Sequence, residues 1–171
     1  MGEDNPTVSV MVDPFLPAVI DSTFLERAAG AAVGEACQDS VTIPSRLIQG
    51  RPLSVSIRLT NDEKIQALNH TYRGVDRPTD VLSFSFVADQ TGPEIQLPSG
   101  WPLEIGEVVM SLPYAERQAA NLGHSLDTEL AWLVIHGTLQ LLGYLHDTDA
   151  HAEHMEGVER RVLALLGITV E

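Results

Sequence analysis

The sequence predicts an α+β fold in which one small mixed β-sheet of about four strands is surrounded by helices. Segments with strand-like alternation occur early and are interleaved with helical segments, whereas helices dominate the end of the chain. The chain has 171 residues, of which 44% are hydrophobic and 20% are charged. These values predict a single domain over residues 1–171 that buries a core of its own.

The N-terminal part predicts a strand, a helix and a loop. Residues 7–12 alternate between polar and apolar side chains, which is typical of a half-buried strand. Asp21 or Ser22 then provides an N-cap for an alanine-rich helix that extends to about Cys37. Residues 38–52 contain prolines and a glycine, and we expect them to form a loop.

The next part predicts two strands with a short helix between them. Residues 53–59 place apolar side chains on one face and give the clearest strand pattern in the chain. Thr60 or Asn61 caps a short helix that runs through His70. A loop with Gly and Pro follows, and the chain becomes a strand again at Val81.

The C-terminal half predicts one more strand and then mainly helices. Residues 88–103 are rich in Gly and Pro and are expected to form a solvent-exposed excursion. Residues 104–111 form the last predicted strand, and residues 113–121 form a helix. A final helix is predicted over residues 150–166, with His151 on its inward-facing apolar stripe.

The segment 126–146 carries the strongest functional signal. Leucines and a glycine recur at helical spacing from Leu126 onward, which predicts a largely buried helix. His136 and Gln140 are four residues apart and therefore project from the same face of that helix. Gly143 allows the chain to turn, so that His146 can return toward this face. Two imidazoles placed in this way indicate a metal site.

The same spacing is found in the long zinc-protease signature, with one important difference. In those proteases the residue after the first His is a Glu that acts as general base. Here that position holds Gly137, so the base for peptide hydrolysis is missing. The pattern therefore favours another kind of metal-assisted hydrolase, or a structural metal site.

Two motifs resemble those of the YbeY family of rRNA-maturation endoribonucleases. The segment from His136 to His146 is similar to the family pattern H-G-x-L-H-L-x-G-Y-D-H, with Gln140 at its second His and Leu145 at its Asp. The segment from Tyr72 is similar to Y-R-x-x-D-x-P-T-D-V-L-S-F-P-F, with Ser85 at the second Pro of that pattern. The resemblance covers roughly residues 53–166.

This resemblance implies a cytoplasmic, single-strand-specific metallo-endoribonuclease that acts in 16S rRNA 3′-end maturation and ribosome quality control. It implies a zinc ion held by His136, Gln140 and His146, and it implies that Arg73 is the catalytic residue that binds phosphate. The expected partners are rRNA and the small ribosomal subunit with its proteins. Neither DNA nor a membrane is expected as a partner.

Gln140 leaves three alternatives open, because an amide oxygen is a weaker zinc ligand than an imidazole. Gln140 is a poor third ligand, another residue completes the site, or no metal binds. The candidates for completion are His151, His154 and Asp147. A second hypothesis follows: a ribosome-associated assembly or binding factor that keeps this fold and has lost most of its catalytic activity.

Charge and cysteine content restrict the possible partners and location. The formal net charge of −14 and the pI near 4.6 argue against broad, non-specific phosphate binding. No apolar run is long enough for a membrane span, and Cys37 has no second cysteine to pair with, which favours a reducing compartment. Six of the ten basic residues lie in one stretch and form either a local basic rim or scattered surface charge: Arg46, Arg51, Arg58, Lys64, Arg73 and Arg77.

Overall fold

Four strands form one mixed sheet in the computed structural model, which describes residues 6–17, 20–39, 51–87 and 98–169. The strands are β1 (Thr7–Val12), β2 (Leu53–Thr60), β3 (Val81–Ser85) and β4 (Leu103–Ser111). Their order in the sheet is β1-β2-β4-β3, with β1, β2 and β4 parallel and β3 antiparallel to β4. The predicted α+β class with one small mixed sheet is therefore confirmed.

Five helices occur in the described segments, and each begins at a polar side chain that accepts a hydrogen bond from a backbone N–H group of the first turn. The helices are α1 (Ser22–Gln38), α2 (Asp62–Arg73), α3 (Leu112–Leu122), α4 (Leu126–Leu141) and α5 (Asp149–Leu165). Their N-caps are, in the same order, Asp21, Asn61, Ser111, Ser125 and Thr148. None of these helices is long and apolar enough to cross a membrane.

Helix α4 is the central element of the fold. It contacts α1, α3, α5, β3 and β4, and ten of its sixteen residues are buried. Helix α2 instead covers the opposite face of the sheet, where Ile65 packs with Leu82 and Val109 in a separate small cluster. At the edge strand β3, α4 therefore packs on one face of the sheet and α2 packs on the other.

Helix α2 is longer than the sequence predicted. It was expected to end at His70, but it continues through Tyr72 to Arg73 and ends at Gly74. Gly74 adopts a φ of 68°, and its N–H group donates a hydrogen bond to the His70 carbonyl. A left-handed glycine of this kind ends a helix irrespective of where its apolar stripe stops. Tyr72 and Arg73 thus belong to a rigid helical turn, and the prediction of a loop there is wrong.

The predicted inward stripe of α5 is only partly correct. Met155, Val158 and Val162 are buried, but the side chain of His151 is 52% exposed and Leu165 is 65% exposed. The packed part of the helix begins at Met155, so its first turn does not reach the core. The predicted loop 38–52 and the predicted excursion 88–103 lie largely outside the described residues.

Candidate active-site groove

A groove of about 1130 Å³ runs along the edge strand β3. The ends of α2 and α4 and the turn after α4 form its walls. His136, Gln140, His146 and Arg73 all line this groove, so the structure brings the four predicted site residues together in one place.

His136 is held in a fixed orientation by a buried carboxylate. Its Nδ1 atom lies 2.6 Å from Oε1 of Glu159, whose side chain is only 5% exposed. The second carboxylate oxygen accepts a hydrogen bond of 3.1 Å from the indole N–H of Trp132. Because Nδ1 is engaged, Nε2 is the ring nitrogen of His136 that remains for a ligand or a proton in the groove.

The sequence analysis did not identify Glu159 as a site residue. The sequence pattern that could have identified Glu159 is an acidic residue between Val158 and Val162, on the buried face of α5. A buried carboxylate requires a partner that offsets its desolvation, so an acid in such a stripe indicates a polar contact elsewhere in the fold.

The two imidazoles are close enough to share one cation. The ring centres of His136 and His146 are 5.7 Å apart, with an angle of 49° between the ring planes. Two imidazoles that bind the same zinc ion through Zn–N bonds of about 2.0–2.1 Å have ring centres roughly 5–6 Å apart. The observed separation fits this arrangement.

Gln140 lies one helical turn beyond His136 and contacts β3. The hydroxyl of Ser83 is 3.0 Å from the amide oxygen of Gln140 and 3.2 Å from the carbonyl of Gly137. A serine has a single proton, so it donates fully to only one of these acceptors. With the amide rotated by 180°, its NH₂ group donates a hydrogen bond to the Ser83 hydroxyl. The hydroxyl then donates its own proton to the carbonyl of Gly137. The amide oxygen is then turned away from Ser83 and is available as a ligand.

Two of the proposed replacements for Gln140 point elsewhere. His154 lies 2.7 Å from Asp39 through Nε2 and stacks on the ring of Tyr144, and it does not line the groove. His151 lies 2.6 Å from Asp147 through Nδ1 and is exposed at the start of α5. The structure therefore places neither histidine beside His136 and His146.

Asp147 does line the groove, but it is paired with His151. This hydrogen bond lowers the pKa of Asp147, so the carboxylate is charged at neutral pH. Within the described segments, no three His, Cys, Asp or Glu side chains form a group that could hold a metal ion. The amide of Gln140, which lines the same groove, stays the predicted third ligand beside His136 and His146.

Arg73 is exposed at the end of α2 and faces the groove without an ion pair to any described residue. Neither Asp76 nor Asp80 forms an ion pair with its guanidinium. Asp76 accepts a hydrogen bond from Gln66, and Asp80 accepts from Thr79 and from the backbone N–H of Val81. Asp80 thus orders the turn before β3, and the guanidinium of Arg73 is available for an anion.

The predicted basic rim is smaller than the sequence suggested. Arg58 and Lys64 both form ion pairs with the buried carboxylate of Asp13, at 3.0 and 3.4 Å. Arg51 donates a hydrogen bond of 2.9 Å to the carbonyl of Pro98. These contacts engage three of the six basic residues of the stretch, whereas Arg73 lines the groove without a described acidic partner.

The packing of Gly137 explains why no glutamate follows His136. A Cβ atom at this position would lie 2.6 Å from Cγ1 of Val108 and 3.1 Å from Oγ of Ser83. Position 137 therefore faces the sheet and has no space for any larger side chain. A general base of the zinc-protease kind cannot be built at this position of α4.

One family model and two relatives that match this chain carry the same name. A family model described as "Endoribonuclease YbeY" matches residues 26–167. A protein of that name from Roseiflexus sp. is 37% identical over 172 residues, covering 100% of this chain and 99% of that protein. Another of that name, from Moorella thermoacetica, is 49% identical over 117 residues, which is 67% of this chain and 73% of that protein.

A solved structure also matches the fold. The solution structure of a Thermotoga maritima protein superposes with a TM-score of 0.52 at 22% sequence identity. The match covers 93% of this chain and 91% of that one.

Proposed function

The chain belongs to the YbeY family of endoribonucleases, and on this basis we propose that it cleaves single-stranded RNA in the groove beside β3. The observation that carries the proposal is the arrangement of His136, which is oriented by buried Glu159 and lies beside His146 and Gln140. We propose 16S rRNA as the substrate, with roles in its 3′-end maturation and in ribosome quality control. The setting is the cytoplasm, and the partners are rRNA and the small ribosomal subunit with its proteins.

The proposed cofactor is one zinc ion per chain. His136 would bind it through Nε2, His146 through a ring nitrogen and Gln140 through its amide oxygen. Bound zinc supplies Lewis acidity toward water and phosphate oxygens. Glu159 contacts Nδ1 and fixes the direction of the His136 ring, which leaves Nε2 as the nitrogen for a ligand in the groove.

Arg73 has the role of stabilising charge on the phosphate. Cleavage of a phosphodiester increases negative charge on its non-bridging oxygens, and a guanidinium can donate two parallel hydrogen bonds to them. The last turn of α2 holds Arg73 at the groove, and no described acid neutralises its charge. A single-stranded substrate suits this site because its backbone can bend and present unpaired bases to the groove.

The experiment that tests this function is cleavage of a single-stranded RNA fragment from the 3′ end of 16S rRNA. We expect Arg73→Ala and His136→Ala each to lower the cleavage rate by about 10²-fold or more. The matched controls are Arg77→Ala and His70→Ala, which remove exposed residues of the same types nearby. Full activity in both site variants would contradict the mechanism.

A second candidate is a ribosome-associated assembly factor with weakened catalysis. Gln140 in the ligand set and the net charge of −14 favour it, since an acidic surface suits basic ribosomal proteins. Metal analysis of the purified protein distinguishes the two. Stoichiometric zinc supports the nuclease, whereas a metal-free protein that binds ribosomes and does not cleave RNA supports the assembly factor.

A further inference from the structure

Aromatic side chains are concentrated at the groove. Of the four Phe, two Trp and three Tyr residues of the chain, five line it: Tyr72, Phe84, Phe86, Trp132 and Tyr144. Tyr72, Phe84 and Phe86 form a row that runs from the end of α2 to the residue just after β3. The rings of Tyr72 and Phe84 meet edge to face with centres 5.0 Å apart. Phe86 lies one residue beyond the end of β3 and lines the same groove.

Two rings of this row face solvent. Tyr72 is 66% exposed and Phe86 is 55% exposed, whereas Phe84 packs against the small core cluster beneath α2. The backbone at Phe86 is fixed, because its N–H group donates a hydrogen bond of 3.0 Å to the carbonyl of Ile105. The core therefore accounts for Phe84, but it does not account for exposed rings at Tyr72 and Phe86.

The charges beside the row indicate how a nucleic acid would lie. Arg73 follows Tyr72 directly and can bind a phosphate. Glu107, which also lines the groove, pairs with Phe84 across the sheet and would repel a phosphate placed over the row. The backbone of a bound strand is therefore favoured near Arg73, and uncharged bases are favoured over the rings.

We propose that Tyr72 and Phe86 stack the bases of single-stranded RNA in the groove beside β3 while the RNA backbone passes Arg73. This inference rests on the proposed function, because it assumes the same substrate. It also explains how an acidic protein binds RNA: stacking depends little on net charge and tolerates any sequence, because every base has a π-face. A chain with a net charge of −14 has little long-range attraction for phosphate to rely on.

The test measures binding separately from cleavage. A short single-stranded RNA that carries 2-aminopurine, whose fluorescence falls when it stacks, is titrated with the full chain. All binding variants are made in a His136→Ala background so that the RNA stays intact. We expect Tyr72→Ala and Phe86→Ala each to weaken binding by about 5- to 100-fold and to reduce the quenching. The ring-conserving variants Tyr72→Phe and Phe86→Tyr should bind as the background does.

Three controls separate stacking from a general structural role. Trp101→Ala removes a ring that is 61% exposed but lies outside the groove, and it should not change binding. Duplex RNA, whose bases are already paired, should bind equally to the background and to both alanine variants. The difference between background and variants should also persist at about 0.5 M salt, since screening weakens charge contacts and not stacking.

The outcomes distinguish this inference from the function on which it rests. Suppose that the native chain cleaves RNA and both alanine variants bind RNA as tightly as the background. The stacking proposal is then contradicted, and the proposed nuclease function stands. Absence of both binding and cleavage of single-stranded RNA overturns the proposed function, and the stacking inference with it.

Discussion

The Nδ1 atom of His136 lies 2.6 Å from the Oε1 atom of Glu159, and this contact joins the groove to the interior of the protein. The carboxylate also binds the indole of Trp132, so two donors from α4 share one acid on α5. His136 therefore cannot turn its ring without breaking a buried hydrogen bond.

This relationship predicts that Glu159 controls metal affinity without touching the metal. Glu159→Ala should weaken zinc binding about 10- to 100-fold, because His136 loses the partner that fixes its tautomer. Glu159→Gln, which keeps one acceptor oxygen, should have a smaller effect. A competition titration with a zinc-binding dye measures both. Glu156→Ala is the matched control, since Glu156 is an exposed acid on the same helix that pairs with Arg160. Equal affinity in all four proteins would show that Glu159 does not orient a ligand.

Gln140→His should raise the zinc content and the zinc affinity of the chain. The change replaces an amide oxygen by an imidazole nitrogen at the position that faces His136 and His146. Metal content after purification and the same dye titration provide the measurement. Gln66→His on α2 is the control for an added histidine away from the site. If Gln140→His produces no gain, Gln140 does not lie on the ligand face.

Arg73 should contribute to the rate of RNA cleavage but not to the stability of the fold. No described residue pairs with its guanidinium, so Arg73→Ala should change the free energy of unfolding by less than about 0.5 kcal/mol. The cleavage rate should nevertheless fall by about 10²-fold or more. Arg73→Lys keeps the charge but loses the forked geometry, so it should recover only part of the rate. Urea unfolding and single-turnover cleavage separate the two effects. A large loss of stability in Arg73→Ala would indicate a structural role instead.

Two glycines on adjacent helices should respond in opposite ways to alanine. Gly137→Ala places a methyl group 2.6 Å from Val108, and we expect a loss of about 1–3 kcal/mol in the free energy of unfolding. Gly157→Ala meets nothing closer than Nη1 of Arg161 at 3.8 Å, and it should gain about 0.5–1 kcal/mol from helix propensity. Urea unfolding measures both changes. A neutral Gly137→Ala would mean that α4 can move away from the sheet.

Acid should remove the stabilisation that Asp13 provides. Burial alone would raise the pKa of Asp13, but hydrogen bonds from Thr60 and Arg58 outweigh it and hold the pKa below its usual value. A carboxyl with a lowered folded-state pKa stabilises the fold above its unfolded pKa of about 3.9, and this contribution is lost as the pH falls through the folded value.

The corresponding variant is Asp13→Asn. It should be less stable than the native chain at pH 6, and the difference should shrink as the pH is lowered below about 4. Urea midpoints between pH 6 and pH 3 provide the measurement. The control is Asp76→Asn, which changes an exposed carboxyl that accepts a hydrogen bond from neutral Gln66. A difference that does not depend on pH would mean that the charge of Asp13 is not what stabilises this corner of the sheet.

The elements could be predicted because their signals are local. Alternation identified the strands, and side chains such as Ser125 identified helix starts, because both depend on residues a few positions apart. The end of α2 was predicted too early because its apolar stripe stops before its helical backbone conformation does. The helix ends where Gly74 adopts a left-handed conformation.

The site could be predicted only in part for the same reason. His136, Gln140 and His146 lie within eleven residues of each other, so helical geometry and one turn were enough to place them together. Glu159 comes from another helix, and no local pattern connects it to His136. The spacing of His151 fits the apolar stripe, but the core does not extend to the first turn of α5.

The close contact of Gly137 with Val108 has a consequence for how such a site can change over time. On α4, the close contact with Val108 leaves no room for a side chain at position 137. Position 140, on the next turn, borders the groove instead. A side chain there can be exchanged without repacking the interior. The glutamine at position 140 is therefore compatible with an intact fold.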